Sequence, residues 1–226
     1  MNLTYGNVLI RDDRGLDSHM VRFKKTTNKE LFGGADKTHS AFIIRGREYD
    51  EIFIGKYPAT IIDGRAYSMP YSDVATKVTF NQARKLCYDK GPGWHMMTAA
   101  EWGLVALHSL MSTGPLPHGN NSFGKCCFSL SEEGMCADET RMAATTLTGS
   151  GPETWSHNSQ KDGVYDLCGN VDEMVSGLRL YGNKIQIIPD NDAALRSTDM
   201  SKNAPGWTGI STDEGDLHIY SDRSLS

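Results

Sequence analysis

Apolar side chains recur at helical spacing in two stretches of this chain. Thr79 with Gln82 three residues on makes a capping box. Phe80, Ala83 and Leu86-Cys87 then share one side of a helix that Gly91 can close. Thr98 with Glu101 repeats the start signal. Trp102, Val105-Ala106 and Leu110 predict a second apolar face, stopped by Ser112-Thr113-Gly114 and Pro115. On this pattern Trp102 is a core residue. Shorter apolar runs read as strands. Residues 41–45 and 51–57 predict a hairpin about Gly46-Arg47, ended by Pro58, which has no N–H for a ladder. Strands resume at 164–167 and 174–180, and Gly182-Asn183 predicts a turn into a strand over 184–188.

Two stretches lack periodicity. Residues 1–37 are polar and dotted with glycine, which predicts an N-terminal arm or assembly segment ahead of a folded domain over 38–226. Residues 112–162 are rich in Gly, Ser, Thr and Asn. So long an irregular stretch inside a domain is where recognition usually sits. The element order is that of an α+β domain.

The chain has 226 residues, enough for one domain with an extension. Its net charge of −5 is scattered and no basic stripe occurs, which argues against nucleic acid as a partner. No apolar run is long enough to span a bilayer. The start Met1-Asn2-Leu3-Thr4-Tyr5 lacks the basic and apolar regions of a signal peptide. Synthesis in a reducing cytosol then predicts free thiols at Cys87, Cys126, Cys127, Cys136 and Cys168. Cys126-Cys127 with Cys136 and His118 suggests a zinc knuckle, but the missing C-x-x-C pair argues against it. Cys87 and Cys168 lie among apolar residues and read as core side chains.

Residues 163–174 read Gly-Val-Tyr-Asp-Leu-Cys-Gly-Asn-Val-Asp-Glu-Met. Gly169 and Asn170 both tolerate left-handed backbone. Asn170, Asp172 and Glu173 crowd three oxygen-bearing side chains onto one turn, which suits a hard cation such as calcium or a solvated polar turn. Asp190-Asn191-Asp192 is a second oxygen-rich cluster, which Pro189 equally makes a plain turn. Trp155 and Trp207 are the loop aromatics suited to stacking on a sugar ring or a protein surface, or to burial under a loop. His157 beside Trp155 completes the ligand-binding candidates. Ser156, His157 and Asp162 lack a nucleophile-elbow sequence, so no catalytic triad is read from them.

The 163–174 segment resembles the G-x-Y-D-x-x-G-N-x-x-E-W signature of the formylglycine-generating enzyme (sulfatase-modifying factor) family, a branch of the C-type lectin fold. Gly93-Trp94-His95-Met96-Met97-Thr98-Ala99-Ala100-Glu101-Trp102 is similar to its G-x-H/R-L-x-T-x-A-E-W block. Thr148-Gly149-Ser150-Gly151-Pro152 with Trp155 and His157, and residues 185–194, resemble a phage and gut-bacterial subgroup that includes retroelement-diversified variable proteins.

The resemblance implies an α+β, C-type lectin-like fold: two helices, an antiparallel sheet and long irregular loops. The family's terminal Arg-Gly-Gly-x-Trp and Gly-Phe-Arg blocks do not occur, so either the fold is trimmed of its last strands or those strands come from elsewhere, such as a neighbouring subunit. Its copper-binding cysteine pair lies near the C-terminus. No cysteine follows Cys168 here, so neither copper nor catalysis is expected. The family's Trp-Glu-Trp is Asp172-Glu173-Met174 in this chain. A structural calcium would carry over to Asn170, the Val171 carbonyl and Glu173. The reading is a non-enzymatic phage or prophage structural protein of the tail or capsid exterior, made in the host cytoplasm and carried in the virion. It would be oligomeric, bind other virion subunits through the arm, insert into no membrane, and present a domain for a host-surface glycan or protein. The alternative is a catalytically active formylglycine-generating-type oxidase.

Overall fold

The computed structural model describes residues 6–114, 116–137, 145–182, 184–213 and 216–221. It is a mixed α+β arrangement with three α-helices and several small antiparallel sheets among the described residues.

Both expected long helices form where their caps predict. In α2 (Phe80–Tyr88) and α3 (Ala99–Thr113), Thr79 and Thr98 each accept a hydrogen bond from the backbone N–H three residues on. Gln82 and Glu101 complete the two boxes. The buried face of α3 differs from the predicted one. Glu101, Leu104, Val105, His108 and Ser109 point inward, while Trp102 is 38% exposed and Leu110 lies outside. Polar His108 and Ser109 on the inner face hid the stripe from a purely apolar count. Pro115, read as the stop, lies outside the described residues.

Residues 6–37 are not a detached arm. β1 (Asn7–Arg11) and β2 (Asp17–Lys24) form an antiparallel hairpin, and β2 pairs on its other side with β5 (Glu51–Gly55). A short helix α1 (Asn28–Phe32) follows β2, with its own Thr27–Glu30 capping box. Val21, Phe23 and Leu31 pack with Ala41, Phe42, Ile54, Leu104, Val105 and Val164 in the principal core. β2 buries Ser18, Met20, Val21 and Phe23, so both of its faces are covered in part, and its flanking charges disguised the run.

The hairpin predicted over 41–57 also pairs differently. Only β3 (Ile43–Ile44) and β4 (Arg47–Glu48) close over Gly46, and β5 goes to β2 instead. β6 (Ala59–Ile62) and β7 (Arg65–Ser68) make a separate ribbon beside α2. Within the long irregular stretch, β8 (Lys125–Cys126) and β9 (Ser129–Glu133) form a bulged hairpin. No strand forms at 164–167, apart from an isolated bridge between Ser156 and Tyr165. β10 (Leu178–Tyr181) and β11 (Lys184–Ile187) pair as predicted, although Asn183 of their turn lies outside the described residues. β12 (Thr208–Asp213) and β13 (Asp216–Ser221) extend this sheet in the order β10-β11-β12-β13, so strands do form near the end of the chain.

A buried polar knot ties the loops to α3. Asn191 Nδ2 donates to Glu101 Oε1 and to the Ala41 carbonyl, each at 2.9 Å, and Thr98 Oγ1 donates to Asn191 Oδ1 at 2.6 Å. His95 Nε2 lies 2.8 Å from the same Glu101 oxygen. Asp192 Oδ1 accepts from the Arg45 N–H at 2.6 Å. Asn191 and Asp192 of the oxygen-rich cluster at 190–192 are therefore fastening groups. The bonds of Asn191 with Thr98, Glu101 and Ala41 fix one arrangement of the loops, because breaking any of them would leave a buried polar group unpaired.

Candidate functional site

The Gly-Asn turn has the expected backbone, with φ of 74° at Gly169 and 62° at Asn170. Glycine is required there for a second reason. A Cβ on residue 169 would sit 2.3 Å from the Asn120 carbonyl oxygen. Asn170 is then committed to structure. Its Oδ1 accepts from the Thr146 N–H at 2.8 Å, Asn120 Nδ2 at 3.1 Å and Thr146 Oγ1 at 3.3 Å. Its Nδ2 donates to the Thr146 carbonyl at 3.1 Å. Three donors on one amide oxygen leave no lone pair for a cation. The expected calcium set of Asn170, Val171 and Glu173 thus loses the side chain it rested on. Val171 is half-buried, and its N–H donates to the Gly169 carbonyl.

The three expected ligand-binding residues are also inside. Trp155 has no exposed surface, and its indole N–H donates to Glu132 Oε2 at 3.2 Å. His157 is equally buried between the rings of Phe23 and His108, and its Nδ1 accepts from the Val164 N–H. Burial, then the neighbouring His108, push its pKa down to about 3. Trp207 is 5% exposed, donates to the Ser201 carbonyl and lies under the Arg179 guanidinium, 4.1 Å from its ring. Loop position in the sequence says nothing of such coverage, so stacking on an outside ligand is not available to any of them as placed.

What the fold opens instead is a cleft of about 990 Å³ with mainly apolar walls. The walls include Ile52 and Ile54 of β5, Leu86 of α2, Met96 and Met97 before α3, and Met174 after the Gly-Asn turn. Asp172 and Met174 both line it. Large apolar pockets with a few converging polar groups are the usual form of a small-molecule site. Tyr57 and Tyr165 also wall a second hollow of about 690 Å³ with Lys56, Tyr71, Glu153 and Lys161.

The polar groups of the cleft have unusual electrostatics. Lys90 is 2% exposed, its Nζ 3.3 Å from the centre of the Trp94 ring and 2.6 Å from Ser18 Oγ. Burial pulls its pKa down to about 8, against the pull of Cys87 and Asp12. Burial alone would lower His95, but the Glu101 charge outweighs it and raises the imidazole, while lowering Glu101 in turn.

Glu173 is an exposed residue of the cleft wall, close to the protein around it. Crowding by that protein, then the Asp166 charge, raise its carboxyl to about 7, against a hydrogen bond from Trp102. Asp166 is 2% exposed and at φ 60°. Burial raises it to about 6, although the Gly149 N–H donates to its Oδ2 at 2.7 Å. Both carboxyls are thus reluctant to ionise, and Glu173, the one of the two that lines the cleft, can give or take a proton near neutral pH. Neither Lys90 nor Asp166 was legible as a perturbed group, because nothing in the sequence marks a lysine or an aspartate as buried.

The five cysteines are free, as expected. Among the described residues no helix is long and apolar enough to cross a membrane. No family model matches the chain, and no curated protein matches it.

Proposed function

We propose that this chain is a non-catalytic binding module, a C-type lectin-like domain displayed on the exterior of a phage or prophage particle, with the apolar cleft as its recognition site. The observation that carries the binding reading is the cleft itself: about 990 Å³, mainly apolar, with Lys90 and Glu173 on its walls. Such a site takes a ligand with a rigid apolar body and one or two polar groups. The particle reading rests on the resemblance of the 93–102, 148–157, 163–174 and 185–194 blocks to the phage subgroup. Because residues 6–37 belong to the domain, docking onto a particle would use a face of the domain and not a free arm.

The test of the cleft is a titration with 1-anilinonaphthalene-8-sulfonate, an amphipathic fluorophore. Saturable binding to native protein is expected. Met174→Asp, which places a charge of the same sign as the sulfonate at a 41%-exposed position of the wall, should weaken it by about tenfold, or about 1.4 kcal/mol, with the urea midpoint unchanged. Binding that never saturates, or that ignores Met174→Asp, would remove the cleft as the site. The particle reading is tested by mass spectrometry of gradient-purified particles. The chain at stoichiometric copy number supports it, and a chain found only in the soluble cell fraction ends it.

A further inference from the structure

The β8–β9 hairpin gathers three side chains that the sequence keeps apart. Its register pairs Lys125 with Glu133 and, after a bulge, Cys126 with Ser129, so Glu132 lies in the bulged stretch between the two pairs. His118 arrives from the preceding loop, where its backbone N–H is fixed to the Thr154 carbonyl at 3.0 Å. One ligand atom each from His118, Cys126 and Glu132 lies within 4.8 Å of the other two. His118 Nδ1 is 2.8 Å from Glu132 Oε2.

These donors and this spacing have a chemical meaning. Zinc binds cysteine sulfur at about 2.3 Å and histidine nitrogen or carboxylate oxygen at about 2.0–2.2 Å, so tetrahedral ligands stand roughly 3.3–3.8 Å apart. Side-chain shifts of about 1 Å would bring this trio to that geometry. A thiolate, a carboxylate and a neutral imidazole carry two negative charges, which match a divalent ion. Sulfur and nitrogen donors argue against calcium or magnesium, which take oxygen.

The surroundings are those of a held site. Cys126 has no exposed surface and packs against Trp155 and Tyr165. Glu132 accepts from the Trp155 indole as well as contacting His118. Outer bonds of this kind orient metal ligands. The His118 side chain is 37% exposed, so the cluster opens to solvent on one side.

We infer that His118, Cys126 and Glu132 form a zinc(II) site with one coordination position open to water or to a ligand atom of a partner. This inference is independent of the cleft, and the zinc-knuckle pattern missed it because Glu132 belongs to no cysteine motif.

The experiment uses full-length protein stripped with chelator, then titrated with zinc against a chromophoric competitor and separately with cobalt(II). One equivalent should bind more tightly than micromolar, raise the thermal midpoint, and give a cobalt complex with thiolate charge-transfer and tetrahedral ligand-field absorption. His118→Gln, at a part-exposed position, should weaken zinc by about 100-fold. Cys126→Ser should abolish the thiolate band, and Glu132→Gln covers the case in which the buried serine variant fails to fold. Absence of binding tighter than micromolar would overturn the site. So would zinc affinity that survives His118→Gln, or that falls only when Cys127 and Cys136 are replaced.

Discussion

Asp12→Ala is expected to destabilise the domain by about 3 kcal/mol, read as a fall in the urea midpoint at unchanged slope. The residue lies in the stretch whose composition suggested a loose arm, yet its side chain has no exposed surface. Oδ2 accepts from Arg65 Nη1 at 2.8 Å and from the Tyr67 hydroxyl, and Oδ1 accepts from the N–H groups of Arg14 and Leu16. Alanine leaves the Arg65 charge and three neutral donors without that acceptor. Removing one partner of a buried ion pair costs about 3–5 kcal/mol. The low end applies because Asp13 still contacts Arg65, and because the cluster lies close enough to the surface for water to screen it in part.

The pH dependence has a definite sign. Burial alone would raise the Asp12 carboxyl, but Tyr67, Arg65 and the two backbone N–H groups outweigh it and hold it well below 3.8. A depressed folded value means the stabilisation is complete above the unfolded pKa near 4 and is lost as pH falls further. The gap between wild type and variant should therefore be constant from about pH 5 upward and narrow in stronger acid. Asp17→Ala is the control. It breaks the Arg11–Asp17 pair, whose arginine side chain is 68% exposed, and should leave the midpoint nearly unmoved. A midpoint equally unmoved in Asp12→Ala would restore the arm.

What was legible in the sequence was what short segments decide alone. The caps at Thr79 and Thr98, the left-handed pair Gly169-Asn170 and the β10–β11 hairpin depend on residues within a few positions of each other. They appear where the residue types place them. Pairing choices between distant segments were not legible. The 51–57 run has the same period whether it joins 41–45 or β2, and the hydrophobic faces of β2 and α1 settle it by closing the core. The candidate site suffered in the same way. Trp155, His157 and Trp207 looked available because loops usually are, and only tertiary contacts show them covered. Cys126 and Glu132 acquire a shared chemistry only from a bulged register that no motif encodes.

Asp166→Asn is the second large effect, and it runs the other way: a gain of about 2–3 kcal/mol at about pH 8. The buried carboxyl titrates near 6 and not at its ordinary 3.8. Each pKa unit corresponds to about 1.4 kcal/mol, so keeping the group ionised in the fold costs about 3 kcal/mol above its folded pKa. A raised acid pKa destabilises fully above that value, and the cost disappears as pH falls to the unfolded value near 4. The advantage of asparagine should therefore fade between about pH 6 and pH 4. Asparagine fits otherwise. Its carbonyl oxygen can still accept from the Gly149 N–H, and it is among the residues that best tolerate the φ of 60° found here. A group that keeps such a cost is placed for something other than stability, since destabilising, perturbed groups concentrate where proteins bind or react. Its neighbour supplies the direct reading. Removing the Asp166 charge takes away one of the two causes that raise Glu173, so the Glu173 titration, followed by carbon NMR, should move down from about 7. A variant no more stable than wild type at pH 8, with Glu173 unmoved, would mean that the two carboxyls do not act as a pair. Glu173, which lines the cleft, would then exchange protons independently of the buried Asp166.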